Sequence, residues 1–311
     1  DMTPADVRHT QHTYPNFSPN GNLIAFQVFR PFPVTGNVDT FDVAIYDRIS
    51  GKEINVTGTH GNRRKNYYPS FSSDGNWLVF ISDRSSQLVW ELYGIPVIGG
   101  TVPLDSSQVV RLTNTGGTIA GGLAPKFPLS AWNPNPSYPT IAIKDANKFL
   151  RLFDLNTLAE ATLPLPAEAI AIQWSPDGEK LAISTKLSLY LLDFTGGVPG
   201  AVDLITQGST GDAISNIAWS DDSDYLAYNV ARSGSLWYEI FDVGGATGLT
   251  QSVIVTPSQI QGALGPYSNI MMCNPVLAPK PAPENGRLLY YLLFDRLTPR
   301  MLSLDLTGAL P

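Results

Sequence analysis

Cysteine, histidine and charged residues are all scarce in this sequence. Its one cysteine, Cys273, excludes an intramolecular disulfide, an all-cysteine zinc site and covalently attached haem of the Cys-x-x-Cys-His kind. Charged residues make up only 15% of the chain and the net charge is −7, whereas a nucleic-acid-binding protein needs a basic surface. No apolar run reaches the roughly 20 residues of a membrane-spanning helix. We therefore expect no cofactor, no nucleic-acid partner and no membrane span.

The few histidines and the densest acidic run also give no metal site. His9 and His12 are three residues apart, and on a strand that spacing places them on opposite faces rather than side by side as ligands. The run 221–224 lacks the glycine and the distal glutamate of a calcium loop, which favours a solvated turn. Any of the histidines could serve as the base of an activated serine, but no motif singles one out.

Glycine and proline, by contrast, are abundant, and they mark the turns of a repeated hairpin. In residues 174–183, apolar residues alternate on both sides of a Ser-Pro-Asp-Gly turn. Proline, aspartate and glycine suit successive positions of a tight turn, and alternation with period two is typical of a strand with one buried face. With variations, the frame gives six copies, at 17–26, 71–80, 132–143, 174–183, 219–228 and 275–290.

The spacing of the copies predicts the fold. Successive copies of the serine or asparagine after each aromatic residue are 54, 61, 42 and 45 residues apart, close to the length of about 40–50 residues of a four-stranded propeller blade. We predict an all-β protein, a six-bladed β-propeller of four-stranded blades that occupies residues 1–311 as a single domain. Five predicted third strands end in an aspartate that we interpret as the cap of the next turn, namely Asp47, Asp154, Asp193, Asp242 and Asp305.

The repeat resembles that of the TolB-type propellers, which also occurs in propeller domains of prolyl-oligopeptidase-like peptidases. The shared frame is aromatic-Ser-Pro-Asp-Gly-x-x-Leu/Ile-Ala-Phe, an apolar strand ending in aspartate and Gly-Gly, and then Arg-Leu-Thr. The first hairpin begins near Tyr14, which leaves no room for the N-terminal domain of TolB, and the peptidases' Gly-x-Ser-x-Gly elbow is missing. The resemblance implies a free-standing propeller located in the periplasm, outside the cell or at the cell surface.

The N-terminal segment is predicted to close the ring. The sixth copy ends near Gly308 with three strands, and residues 7–10 match the fourth strand at residues 109–113. A strand formed by residues 7–10 would complete the last blade and would pair two edges that otherwise invite aggregation.

The densest basic run of this acidic chain is the predicted binding site. It consists of Arg63, Arg64 and Lys65, and it is followed by Tyr67 and Tyr68. It precedes an inner strand, and loops held by a rigid scaffold commonly carry binding. We expect it to meet another protein with an acidic surface or an anionic glycan, although a solvated loop would give the same pattern.

Two functions from different classes remain open at this stage. Glu168 and Asp212 each precede an inner strand, where two carboxylates could serve as acid and base in a channel-centred hydrolase or lyase acting on glycans. Solvated carboxylates are the commoner explanation of such residues. We therefore predict a non-enzymatic binding or scaffold protein that mediates protein–protein interaction, also as a subunit of a larger complex, with the glycan enzyme as the alternative.

Overall fold

The computed structural model describes residues 11–30, 40–57, 65–86, 89–103, 108–114, 130–144, 149–232, 235–243, 252–255, 271–272, 276–277, 288–295 and 298–305. The chain divides into two compact units, residues 1–128 with 139–162 and residues 129–138 with 163–311. The described residues are almost entirely strand, and they include no helix with the length and apolar character needed to cross a membrane.

The described strands form six antiparallel sheets, numbered here in chain order. The first sheet contains β1 (Gln11–Phe17), β2 (Leu23–Arg30), β3 (Thr40–Asp47) and β4 (Lys52–Asn55). The second sheet contains β5 (Asn66–Phe71), β6 (Trp77–Ser82), β7 (Glu91–Pro96) and β8 (Val110–Arg111). The third sheet contains β9 (Ser130–Trp132), β10 (Thr140–Lys144), β11 (Leu150–Asp154) and β12 (Ala159–Leu163).

The remaining three sheets lie entirely in the second unit. The fourth sheet contains β13 (Ala169–Trp174), β14 (Lys180–Thr185), β15 (Ser188–Asp193) and β16 (Val202–Gln207). The fifth contains β17 (Ala213–Trp219), β18 (Tyr225–Arg232), β19 (Ser235–Asp242) and β20 (Ser252–Val255). The sixth contains β21 (Met271–Met272), β22 (Val276–Leu277), β23 (Leu288–Asp295) and β24 (Thr298–Asp305).

This arrangement confirms the predicted four-stranded antiparallel organisation, with one qualification in the sixth sheet. There β21 and β22 both pair with β23, and β24 is also a partner of β23. Since the two short strands lie end to end along one edge, the described part of this sheet is three strands wide. Residues 7–10, the predicted fourth strand, lie outside the described residues. The ring closure, the number of blades and the single domain over residues 1–311 stay predictions.

In four of the described hairpins a serine is the centre of the turn. The hydroxyl of Ser175 donates to Asp177 Oδ1 (2.6 Å) and accepts the N–H of Lys180 (2.9 Å). Asp177 Oδ1 also accepts the N–H of Glu179 (2.9 Å). Hydroxyl bonds of the same pattern occur in three further hairpins, at Ser18, Ser72 and Ser220. The repeated Ser-x-Asp pair, which is Ser-x-Asn in the first hairpin, is therefore a hydrogen-bonded turn lock, which gives the repeat a structural meaning.

Replacing Ser175 by alanine is expected to lower the free energy of unfolding by about 1–2 kcal/mol, because the half-buried N–H of Lys180 and a carboxylate oxygen of Asp177 each lose a partner. Urea unfolding followed by fluorescence measures this change. Ser137→Ala is the matched control, since Ser137 is exposed and substitutions at such surface positions usually change stability by less than about 0.5 kcal/mol. Equal effects of the two substitutions would show that the turn lock contributes nothing.

In each of four sheets, the first strand carries a bulge at a corresponding place, and no motif in the sequence marks these bulges. The register shifts lie between Thr13 and Asn16, Tyr67 and Ser70, Ala169 and Ala171, and Ser215 and Ile217. At three of them a residue other than glycine has a positive φ, namely Tyr14 (56°), Tyr68 (55°) and Asn216 (50°). Bulges change the direction of side chains and are common beside functional sites. At these four places the side chains therefore depart from the regular alternation between the two faces of the sheet.

The aspartates at the ends of third strands cap turns as predicted wherever their contacts are described. Asp47 accepts the N–H groups of Ile49 and Ser50, and Asp193 accepts the N–H and hydroxyl of Thr195. Hydrogen bonds to the side chain of Thr195 and to its backbone are the main causes that lower the pKa of Asp193. These aspartates therefore have a structural function.

Candidate functional site

The basic run directly precedes β5 in the sequence. Arg63 and Arg64 lie outside the described residues. Lys65 forms a parallel bridge with Phe41 of β3, and its N–H donates to Asp83 Oδ1 (2.9 Å). The last residue of the basic run is thus fixed to two neighbouring sheets. We call residues 65–68, together with Tyr14, the Lys65 edge.

Packing between aromatic side chains anchors the Lys65 edge to the neighbouring strands. Tyr67 is only 6% exposed, and its ring centroid lies 4.8 Å from that of Phe41 and 5.2 Å from that of Trp90. The side-chain amide of Asn66 donates to the carbonyl of Phe41 (3.0 Å). Tyr67 was predicted as a binding residue, and its burial gives it a supporting position rather than a place on the accessible surface.

Tyr68 is placed differently, because it lies at the bulge of β5. Its ring meets the ring of Tyr14, at the bulge of β1, edge-on with centroids 4.7 Å apart. Tyr14 is 41% exposed. Both tyrosines hold the positive φ that residues with a side chain rarely adopt, and such strain concentrates at ligand-binding sites. The structure therefore adds Tyr14 to the predicted site, and no signal in the sequence marked its bulge.

The predicted carboxylates Glu168 and Asp212 precede β13 and β17, as expected from the sequence. Glu168 is exposed. The Asp212 carboxylate accepts the N–H of Ser209 (2.9 Å) and lies 3.6 Å from Nε of Arg232. Asp212 therefore already has two structural contacts.

Arg232 connects Asp212 to a buried polar cluster. Its Nη1 lies 2.6 Å from Oε1 of Glu239, and the hydroxyl of Tyr228 donates to Oε2 of the same carboxylate (2.7 Å). Burial, and after it the neighbouring Glu239 charge, raises the pKa of Tyr228 well above its ordinary value. The cluster thus holds a neutral tyrosine, a carboxylate and a guanidinium in mutual contact.

Among the residues that the structure describes, no group of three or more histidine, cysteine, aspartate or glutamate side chains is arranged to hold a metal ion. His12 belongs to this part of the chain, and its ring packs at 4.8 Å from that of Phe26. His9 and Cys273 lie outside it.

No family model matches the sequence, and no curated protein matches it either. Solved structures do match. The β-propeller domain of the Trilobed protease from Pyrococcus furiosus is 11% identical, with 96% of this chain and 83% of that chain covered and a TM-score of 0.53. A Bacteroides ovatus structure described as a dipeptidyl aminopeptidase IV is 14% identical, with 94% and 47% covered and a TM-score of 0.58.

TolB from Acinetobacter baumannii is 16% identical, with 97% of this chain and 65% of that chain covered, but its TM-score is 0.44. This chain therefore spans less than half the length of the peptidase and just under two thirds of TolB. At these identities the likeness to solved structures shows the fold alone, and that fold is the β-propeller.

Proposed function

We propose that this propeller is a non-enzymatic binding module, which recognises an acidic surface of another protein through the Lys65 edge and the basic run before it. The observation that carries the proposal is the edge-on pair of Tyr14 and Tyr68 on two strained bulges. In the sequence, Tyr68 comes shortly after three consecutive cations, in a chain of net charge −7. Tyrosine and arginine are among the residues most enriched at the energetic centres of protein interfaces.

The rigidity of the edge supports this proposal. A bridge to Phe41 and a hydrogen bond to Asp83 hold Lys65, and the buried Tyr67 packs against Phe41 and Trp90. Binding to a preorganised surface loses less conformational entropy than binding that must first order a loop.

The proposal has two further parts. The repeat is of the TolB type. The protein works in the periplasm, outside the cell or at the cell surface, either alone or as a subunit of a larger complex.

An anionic glycan is the other ligand that a basic edge with tyrosines could bind, and it is an outcome of the tests below. A channel-centred glycan hydrolase or lyase has less support. It would need Glu168 and Asp212 as acid and base, yet the Asp212 carboxylate is engaged by Ser209 and Arg232.

Replacing Arg63 and Arg64 together by alanine is expected to weaken binding of the partner about tenfold and to reduce its salt dependence, because charges at an interface steer and hold an oppositely charged surface. The full chain serves as bait for capture from its native source followed by mass spectrometry. The affinity of the purified partner is then measured at low and at physiological salt.

The matched control is Arg48→Ala with Lys52→Ala, which removes two exposed positive charges from the first sheet away from the Lys65 edge. The control is expected to bind like the wild type. Unchanged binding by the Arg63/Arg64 variant, equal losses in both variants, or a partner without an acidic surface would each contradict the proposed function.

A further inference from the structure

Arg84, two residues beyond β6, is a half-buried cation whose described contacts are all with neutral groups. Its Cζ lies 5.0 Å from the ring centroid of Phe80 and 5.1 Å from that of Tyr93. Its Nη2 donates to Asn66 Oδ1 (3.2 Å), and its Nε lies 3.4 Å from Ser82 Oγ. Among the described residues, no carboxylate lies within ion-pair distance of this guanidinium. The two rings therefore hold a charge in place without neutralising it.

The fifth sheet provides a comparison at the matching position. Arg84 and Arg232 each follow the serine of their own hairpin by twelve residues. The guanidinium of Arg232 lies 2.6 Å from Glu239 and 3.6 Å from Asp212. Removing a charge from water is costly unless a partner compensates for it. Arg232 has that compensation within the protein, and Arg84 has the same place in the repeat without it.

The carboxylates of the second sheet nearest in sequence to Arg84 have other contacts. Glu91 pairs in register with Ser82, two residues before Arg84, but its two oxygens accept from Arg111 (2.9 Å) and Thr113 (2.6 Å). Asp83 accepts a backbone N–H through Oδ1. Glu91 and Asp83 are therefore engaged in contacts within the protein, and a counter-charge for Arg84 has to come from elsewhere.

A second group beside Arg84 is also unsatisfied. Tyr93 is 3% exposed, and its buried hydroxyl has no hydrogen-bond partner among the described residues. Buried hydroxyls are nearly always paired. Burial also lowers the pKa of Arg84, as expected for a cation with no counter-ion. Nη1 of Arg84, for which no hydrogen bond is described, and the unpaired hydroxyl of Tyr93 thus belong to neighbouring side chains, next to Asn66 of the Lys65 edge.

We propose that Arg84 binds a carboxylate group of the acidic protein partner. This inference rests on the proposed function and names the group that the site takes. The planar guanidinium can donate two parallel hydrogen bonds to one carboxylate, and the rings of Phe80 and Tyr93 hold it ready to do so. The basic run attracts the partner, and Arg84 fixes one of its acidic side chains.

The test measures binding of fluorescein-labelled decaglutamate and of a labelled heparin fragment by fluorescence polarisation, on the full chain at low salt. We expect the wild type to bind decaglutamate and Arg84→Gln to bind it about tenfold more weakly. Arg84→Lys should bind it about threefold more weakly, because lysine keeps the charge but cannot donate two parallel hydrogen bonds to one carboxylate. The control Arg48→Gln removes an equal charge at an exposed position of the same unit and is expected to stay within about twofold of the wild type.

The outcomes separate this inference from the proposed function. If Arg84→Gln and Arg84→Lys bind decaglutamate like the wild type while the Arg63/Arg64 variant binds it more weakly, the function stands and the role of Arg84 is overturned. If only the heparin fragment binds, or neither probe binds, both are overturned. Should Arg84→Gln fail to fold, as judged by its melting temperature, Arg84→Lys decides the question, since it keeps the charge and an aliphatic stem.

Discussion

Gly178→Ala is expected to lower the free energy of unfolding by about 2–5 kcal/mol. Gly178 has a φ of +76°, and a Cβ at this position would approach the Cβ of Asn135 to 2.6 Å and clash with the side-chain oxygen of Asn133. Asn133 is fully buried, and its amide donates to the carbonyl of Gly178 (2.8 Å), so it has little freedom to move away. The left-handed backbone contributes about 1–2 kcal/mol of this cost, and the overpacking about 1–3.

Gly196 provides the control for this substitution. It has the same φ of +76°, but no atom lies within 4 Å of the position that a Cβ would take. Gly196→Ala should therefore cost only the backbone part, about 1–2 kcal/mol. Urea unfolding of both variants isolates the contact between the turns of the third and fourth sheets, and equal losses would mean that this contact is absent.

Deleting residues 1–10 is expected to lower the melting temperature by roughly 5 °C or more, if these residues supply the fourth strand of the sixth sheet. β24 has β23 as its partner, and no other described strand pairs with it. The deletion stops short of β1, which begins at Gln11. A shift of this size corresponds to a loss of about 2 kcal/mol or more in a domain of this length.

The end of β8 shows what such a strand would contribute. Thr113 accepts the N–H of Leu92 (2.9 Å) and donates to Glu91 (2.6 Å), which fastens the fourth strand to the third. Thr57 bonds in the same way to the backbone of Val43 in the first sheet. Residues 8–10, Arg-His-Thr, repeat the spacing of Arg-Leu-Thr at residues 111–113. A chain with residues 7–10 in scrambled order keeps length and composition, and it should be destabilised like the deletion; wild-type melting of both would refute strand closure.

The hairpins could be predicted because their chemistry is local. Ser175, Asp177 and Gly178 are close in sequence and form one turn among themselves. Each copy of the motif therefore predicts its own hairpin without reference to the rest of the chain. The third copy at residues 132–143 departs from the frame, yet Asn133 and Asn135 still form its turn through Asn133 Oδ1. Strand positions followed from alternation for the same reason.

The candidate site was less predictable because its features depend on contacts between strands. The burial of Tyr67 follows from packing against Phe41 and Trp90, which are distant in sequence. The bulge that exposes Tyr14 leaves no composition signal. Arg84 did have a signal, since an arginine also occurs twelve residues after the hairpin serine at two further positions, Arg30 and Arg232, but its lack of a carboxylate partner could only be seen in the structure.

Each of the six sheets is built from one uninterrupted stretch of the chain, which has a consequence for synthesis. The described strands of the first sheet lie within residues 11–55, those of the second within 66–111, and those of the fourth within 169–207. Every hydrogen-bonding partner of a strand therefore leaves the ribosome within about one sheet length of it, and such short separations favour rapid pairing. A sheet can therefore form while the next one is still being translated, so each described strand can find its partners before the rest of the chain is made.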